Sequence, residues 1–149
     1  MTEPYCIRLD QQPCVVQYVE KWHSFLVGTY TLITDEPQTE IANSYPGRIT
    51  DLNHRRGSLV LFSHSKESNK FELKETASCR DGGVFDFTIC DDVIYVAHAN
   101  NTVSIYLYMG RNSNAAQNKL LFYQRSISMS VERSVLLTSI DTCPLTTNE

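Results

Sequence analysis

"VFDFTICDDVIYVAHANNTVSIYLYM", residues 84–109, holds three apolar runs separated by two polar dipeptides. The runs 84–89, 93–99 and 102–109 are rich in Val, Ile, Phe and Tyr, residue types that suit a pleated, half-buried surface. The links are Asp91-Asp92 and Asn100-Asn101. Asn and Asp tolerate the positive φ that a tight hairpin turn demands. The stretch therefore predicts three successive antiparallel strands. A fourth, "KLLFYQR" (119–125), follows the loop 110–118.

Upstream the same four-part pattern occurs once before. "CVVQYVE" (14–20) puts Val15, Gln17 and Val19 on one face and Val16 and Tyr18 on the other. "SFLVGTYTL" (24–32), "GSLVLFSH" (57–64) and "KFELKETA" (70–77) complete the set, with Phe71 and Leu73 inward and Glu72 and Lys74 outward. A polar insertion without periodicity, 33–56, separates the second strand from the third. No window of a dozen residues carries a helical apolar stripe, although 130–137 could take a helical turn. Downstream, "VLLTSIDT" (135–142) reads as one more strand, with Asp141 placed as Asp86 is in "VFDF". Tandem units of four hairpin-linked strands indicate an all-β, WD-repeat-like β-propeller. The chain, 1–149, is then one incomplete propeller: a first blade over 14–77, a second over 84–125, and the opening strand of a third. A nine-stranded β-sandwich is the alternative.

Gly28 interrupts an otherwise apolar strand, where glycine forfeits packing and marks a bulge or a close backbone approach. A propeller gives the second reading a cause, since adjacent blades crowd one another near the axis.

At 149 residues the chain is long enough for one domain with a substantial core. A formal charge of −4 offers no electrostatic reason for nucleic acid or an anionic membrane as partner. The acidic start, MTEPYCIRLD, lacks the regions of a signal peptide, so a cytoplasmic location is expected. Cys6, Cys14, Cys79, Cys90 and Cys143 are odd in number and scattered, without zinc-ligand spacing. Most are expected to be buried free thiols. Neither metal nor cofactor is expected.

Chemistry is harder to read than architecture. His23, His54, His64 and His98 do not cluster, and His98 alternates onto the face of Ile94 and Val96, as a structural histidine would. His23 and His54 fall in loops. No nucleophile elbow or local Ser-His-Asp pattern is present. Asp86 and Asp141 suit backbone-amide capping better than catalysis. The loop "SCRDGG" (78–83), with Arg80 and Asp81, and the pair Arg55-Arg56 are the charged candidates at strand ends, and solvated loop charge is the plainer reading of both arginine groups.

"FLVGTYTL", the long insertion, "RRGSLVLFS", "GVFDFTICDD" and "AHANNTVSIYLY", in this order, resemble the N-terminal part of the WD-repeat diphthine methyl ester hydrolases. The similarity spans about residues 14 to 143, and its most specific element is Gly28-Thr29-Tyr30 coupled to Gly57. The resemblance implies a propeller of about seven blades in the family, of which this chain spans two and a strand. It also implies hydrolysis of the methyl ester of methylated diphthine on elongation factor 2, the protein partner, within diphthamide synthesis. No catalytic residue of the family maps onto this segment, so the catalytic residues stay unknown. The chain by itself is expected to be inactive and to expose an apolar blade face. A non-enzymatic WD-repeat scaffold that docks proteins is the competing function.

Overall fold

The computed structural model describes residues 6–32, 55–65, 67–79, 81–110, 120–128 and 137–142. Among these residues the regular structure is eight strands and one short 3-10 helix. They are β1 (Gln12–Val19), the helical turn Glu20–Trp22, β2 (Ser24–Leu32), β3 (Arg55–Ser65), β4 (Lys70–Cys79), β5 (Val84–Cys90), β6 (Val93–His98), β7 (Thr102–Tyr108) and β8 (Leu120–Ser128). Two four-stranded sheets result, ordered β1-β2-β3-β4 and β5-β6-β7-β8, with every neighbouring pair antiparallel. No described strand passes from one sheet to the other.

The turns explain the meanders. His23, Asn69, Asp91 and Asn101 all take positive φ, and three of them are the Asn and Asp types that accept it. Asn101 donates its N–H to the His98 carbonyl at 3.1 Å, closing the β6–β7 turn.

The core lies between the sheets. Register places Val15, Gly28, Leu59 and Ala77 in one cross-strand row, and Gln17, Leu26, Leu61 and Glu75 in the next. Leu26, Leu59 and Leu61 from this face cluster with Val84, Phe87, Ile94, Val96 and Tyr106 of the second sheet. The opposite face of the first sheet is apolar too. There Val27, Val60 and Phe62 form a separate cluster with Phe25 and Leu9.

Glycine makes the close approach of the two sheets possible. A Cβ on Gly28 would lie 2.5 Å from Val84 Cγ1 and 2.7 Å from Val15 Cγ1. On Gly57 it would strike three backbone atoms, Thr29 O, Val84 N and Gly83 Cα. Opposite Gly28, β1 carries a register shift between Pro13 and Val15, so a bulge and a close approach coincide at this site. A second tie sits near the β1–β2 turn. Trp22 Nε1 donates to Asp92 Oδ1 at 2.8 Å, and the indole stacks on Tyr108 with ring centroids 4.1 Å apart. Lys21 Nζ adds an ion pair to Asp92 at 2.9 Å.

Several expectations need correction. β1 ends at Val19, because Glu20 begins the helical turn. β3 starts at Arg55, inside the predicted insertion, whose remainder (33–54) lies outside the described residues. Leu73 does not point into the core: it is 56% exposed on the outer face, since both faces of this sheet are apolar and alternation cannot choose between them. Residues 137–142 form no strand; Ile140 donates its N–H to Asp86 Oδ2 at 3.0 Å instead, and 135–136 lie outside the described residues. Cysteine burial also differs. Cys6, Cys14 and Cys90 are exposed, and among the described cysteines only Cys79 is buried.

Burial pushes the Cys79 thiol up to about 11, from an ordinary value of 9.0. The folded state therefore holds this proton over a pH range in which the unfolded chain releases it. By linkage, its stabilising contribution is full below pH 9.0 and declines as pH rises from there toward about 11. Native-state alkylation at neutral pH should label Cys6, Cys14 and Cys90 and spare Cys79, with mass mapping of the labelled peptides as the check. Early labelling of Cys79 would contradict its placement against Leu59 and Tyr106.

Candidate functional site

The charged candidates gather where β2, β3 and β5 meet, next to the loop that joins the two sheets. Arg55 opens β3, and its guanidinium carbon stands 5.5 Å from the centre of the Phe85 ring, which also meets Tyr30 edge-on at 5.8 Å. Arg56 is exposed. Gly82 and Gly83 pass close to the Arg55 backbone, and Gly83 O accepts the Ala99 N–H at 2.9 Å. The loop thus binds the β6–β7 turn to the ends of β2 and β3 in the first sheet.

Asp81 is buried in that loop, and its Oδ2 accepts the Ser104 hydroxyl at 2.9 Å. Asp81 is the one loop carboxylate the sequence singled out that the structure places inside the protein. A buried serine–carboxylate bond fixes the loop against β7 and satisfies both polar groups, as buried polar atoms require. Arg80 lies outside the described residues.

Asp86 is half-buried and works as an amide cap. Its Oδ1 accepts the Phe87 N–H at 2.9 Å, while Oδ2 holds Ile140. Asp141 makes the same local bond, accepting the Thr142 N–H at 2.7 Å, but from an exposed, strandless position. The two carboxylates share a role without sharing a strand position. Nearby, Cys14 Sγ lies 3.4 Å from the Phe85 carbonyl oxygen, and desolvation with the Asp86 charge raises its pKa.

The histidines do not converge. His98 is fully buried on the face of Ile94 and Val96, where alternation put it. His23 is exposed, and His64 stacks on Phe71 at 4.9 Å with its ring bonded to Asn69. His54 lies outside the described residues. Among the described residues, no group of three or more His, Cys, Asp or Glu is placed to hold a metal ion, and no helix is long and apolar enough to cross a membrane.

Two features escaped the sequence reading. The first is the Trp22–Asp92–Tyr108 clamp, joining residues seventy positions apart; a lone tryptophan beside a tight turn was its only signal. The second is a groove on the outer face of the first sheet. The segment 6–11 crosses this face, leaving a cavity of about 470 Å³ beside β3 and β4 and a neighbouring one of about 300 Å³. Thr29 anchors the segment by donating its hydroxyl to Gln11 Oε1 at 2.6 Å, while accepting the Ser58 N–H at 3.0 Å.

Comparison with protein-family models, with curated proteins and with solved structures finds no match to this chain. The arrangement of the described residues is thus the guide to function. Asp81, Asp86, Thr29 and Ser104 bind backbone or other side chains, and the apolar faces are broad.

Proposed function

We propose that the chain forms two consecutive blades of a WD-repeat-like β-propeller, and that they frame a hydrolase of the diphthine methyl ester on elongation factor 2. One observation carries the reading: two of the residues that ground the resemblance, Gly28 and Gly57, both sit where the sheets approach closely, at Val84. Two meanders without an exchanged strand also favour blades over a Greek-key sandwich, in which strands cross between sheets.

The contribution of these residues is architectural. Ester hydrolysis needs a nucleophile or activated water, and donors aimed at the tetrahedral oxyanion. Asp81 and Asp86 spend their oxygens on Ser104 and on backbone amides, so they hold loops in place instead of moving protons.

The protein at its full native length, purified from its own cells and incubated with elongation factor 2 bearing the methyl ester, should release methanol, whereas residues 1–149 expressed alone should not. Asp86→Asn should lower activity only in proportion to lost folded protein. Binding of elongation factor 2 with no methanol above a protein-free blank would overturn the hydrolase reading in favour of a docking scaffold.

A further inference from the structure

We propose that Arg55 is the receptor for the carboxylate of a small ligand with an apolar body, bound where β2, β3 and β5 meet. The inference stands apart from the blade and hydrolase readings, since it rests on one side chain and its surroundings. Arg55 begins β3 as a half-buried residue, and its Nε and Nη1 are shut from solvent without a hydrogen-bond partner. Among the described residues its guanidinium takes part in no hydrogen bond and no ion pair. Its ring contact is Phe85, whose centre lies 5.5 Å from Cζ.

Buried donors in native proteins are nearly always bonded, and a cation withdrawn from water is costlier to leave unpaired than a neutral group. The Phe85 face offsets part of the charge but offers no lone pairs to the five N–H donors of a guanidinium. The carboxylates on either side of this junction are engaged elsewhere. Asp81 Oδ2 accepts the Ser104 hydroxyl, and Asp86 accepts the Phe87 and Ile140 amides. Gly82 and Gly83 run past Arg55 and bring no side chain against it. The guanidinium is therefore held in place on an aromatic ring with its donors unused.

The same surroundings set the class of ligand. A planar guanidinium matches two coplanar carboxylate oxygens in a bidentate pair. It supplies a single positive charge, and Asp86, next in sequence to Phe85, disfavours a dianion such as phosphate. Tyr30 meets Phe85 edge-on at 5.8 Å, and both rings are half-buried. Their open sides give an apolar ligand body a surface to cover while its carboxylate reaches Arg55.

The test is thermal unfolding of the protein at its full native length, at fixed ionic strength in chloride, titrated with phenylacetate, acetate, phenylacetamide or inorganic phosphate. Phenylacetate should raise Tm saturably and acetate less, while the neutral amide and phosphate should do little. Arg55→Met should be at least as stable as wild type without ligand, because it removes an unpaired cation. It should also bind phenylacetate at least about tenfold more weakly, as loss of charge-assisted hydrogen bonds implies. Arg55→Lys should keep a reduced response, since an ammonium lacks the fork. If Arg55→Met fails to fold, Arg55→Gln replaces it, with titration calorimetry as the readout. Equal responses of wild type and variant, or no wild-type response to either carboxylate, overturn the proposal. So does tighter binding of phosphate than of phenylacetate. A variant much less stable than wild type in ligand-free buffer also overturns it, since the protein's own chain would then already supply the anion. Methanol release from the esterified elongation factor is untouched by any of these results, so the two readings fail separately.

Discussion

Trp22→Ala should destabilise the chain by about 3–5 kcal/mol, the largest single-residue effect expected, as for other buried aromatics cut to alanine. The indole is 5% exposed and bridges the two sheets by two independent interactions, the bond to Asp92 and the stack on Tyr108. Truncation opens a void beside Tyr108 and removes the indole donor from a half-buried carboxylate. Lys21→Ala should be nearly silent, about 0.2–1 kcal/mol, because its ion pair to the same carboxylate is partly solvated. Urea denaturation followed by circular dichroism separates the two cases. Equal effects would mean that the clamp is electrostatic and surface-bound. As the sole tryptophan, Trp22 also makes wild-type fluorescence a direct report on the seam.

The second large effect is at the glycines. Gly57→Ala places a methyl group against Thr29 O, Val84 N and Gly83 Cα, all backbone atoms that cannot rotate away. The sheets must part to admit it, at a cost of about 1–3 kcal/mol or more, as overpacking gives. At Gly28 the obstacles are the Cγ1 methyls of Val84 and Val15, which are softer. Gly28→Val should still cost over about 1 kcal/mol. Gly28→Ala combined with Val84→Ala should destabilise by less than the sum of the singles, as contacting residues do. Strict additivity would show that Gly28 and Val84 are not in contact, and the seam would have to be redrawn.

Strand existence and order were legible because alternation and turn chemistry agree at each hairpin. Asp91 and Asn101 take the φ their types favour, and Val15 and Val19 face the core as the period of two requires. Which face was the core was less legible in the first sheet. Val16 and Leu73 are as apolar as Val15 and Leu26, so the pattern marks faces without ranking them. The run at 135–142 misled for a related reason: apolar composition does not supply a pairing partner, and the Ile140 amide found a carboxylate instead. The clamp was beyond reach, because no local rule links Trp22 to Asp92 and Tyr108. At the candidate site the sequence found the polar residues but not their duties. Asp86 caps amides as expected, whereas Asp81, put forward as a charged loop candidate, is buried against Ser104.

The most direct test of the role we propose in diphthamide synthesis is the state of elongation factor 2 in cells lacking this protein. Mass spectrometry of its modified histidine peptide should find the methyl ester accumulated and the final amide absent. Re-expression of the wild-type protein should restore the amide, and re-expression of Gly57→Ala should restore less, in line with its loss of folded protein. Fully amidated elongation factor 2 in the deletion cells would contradict the account.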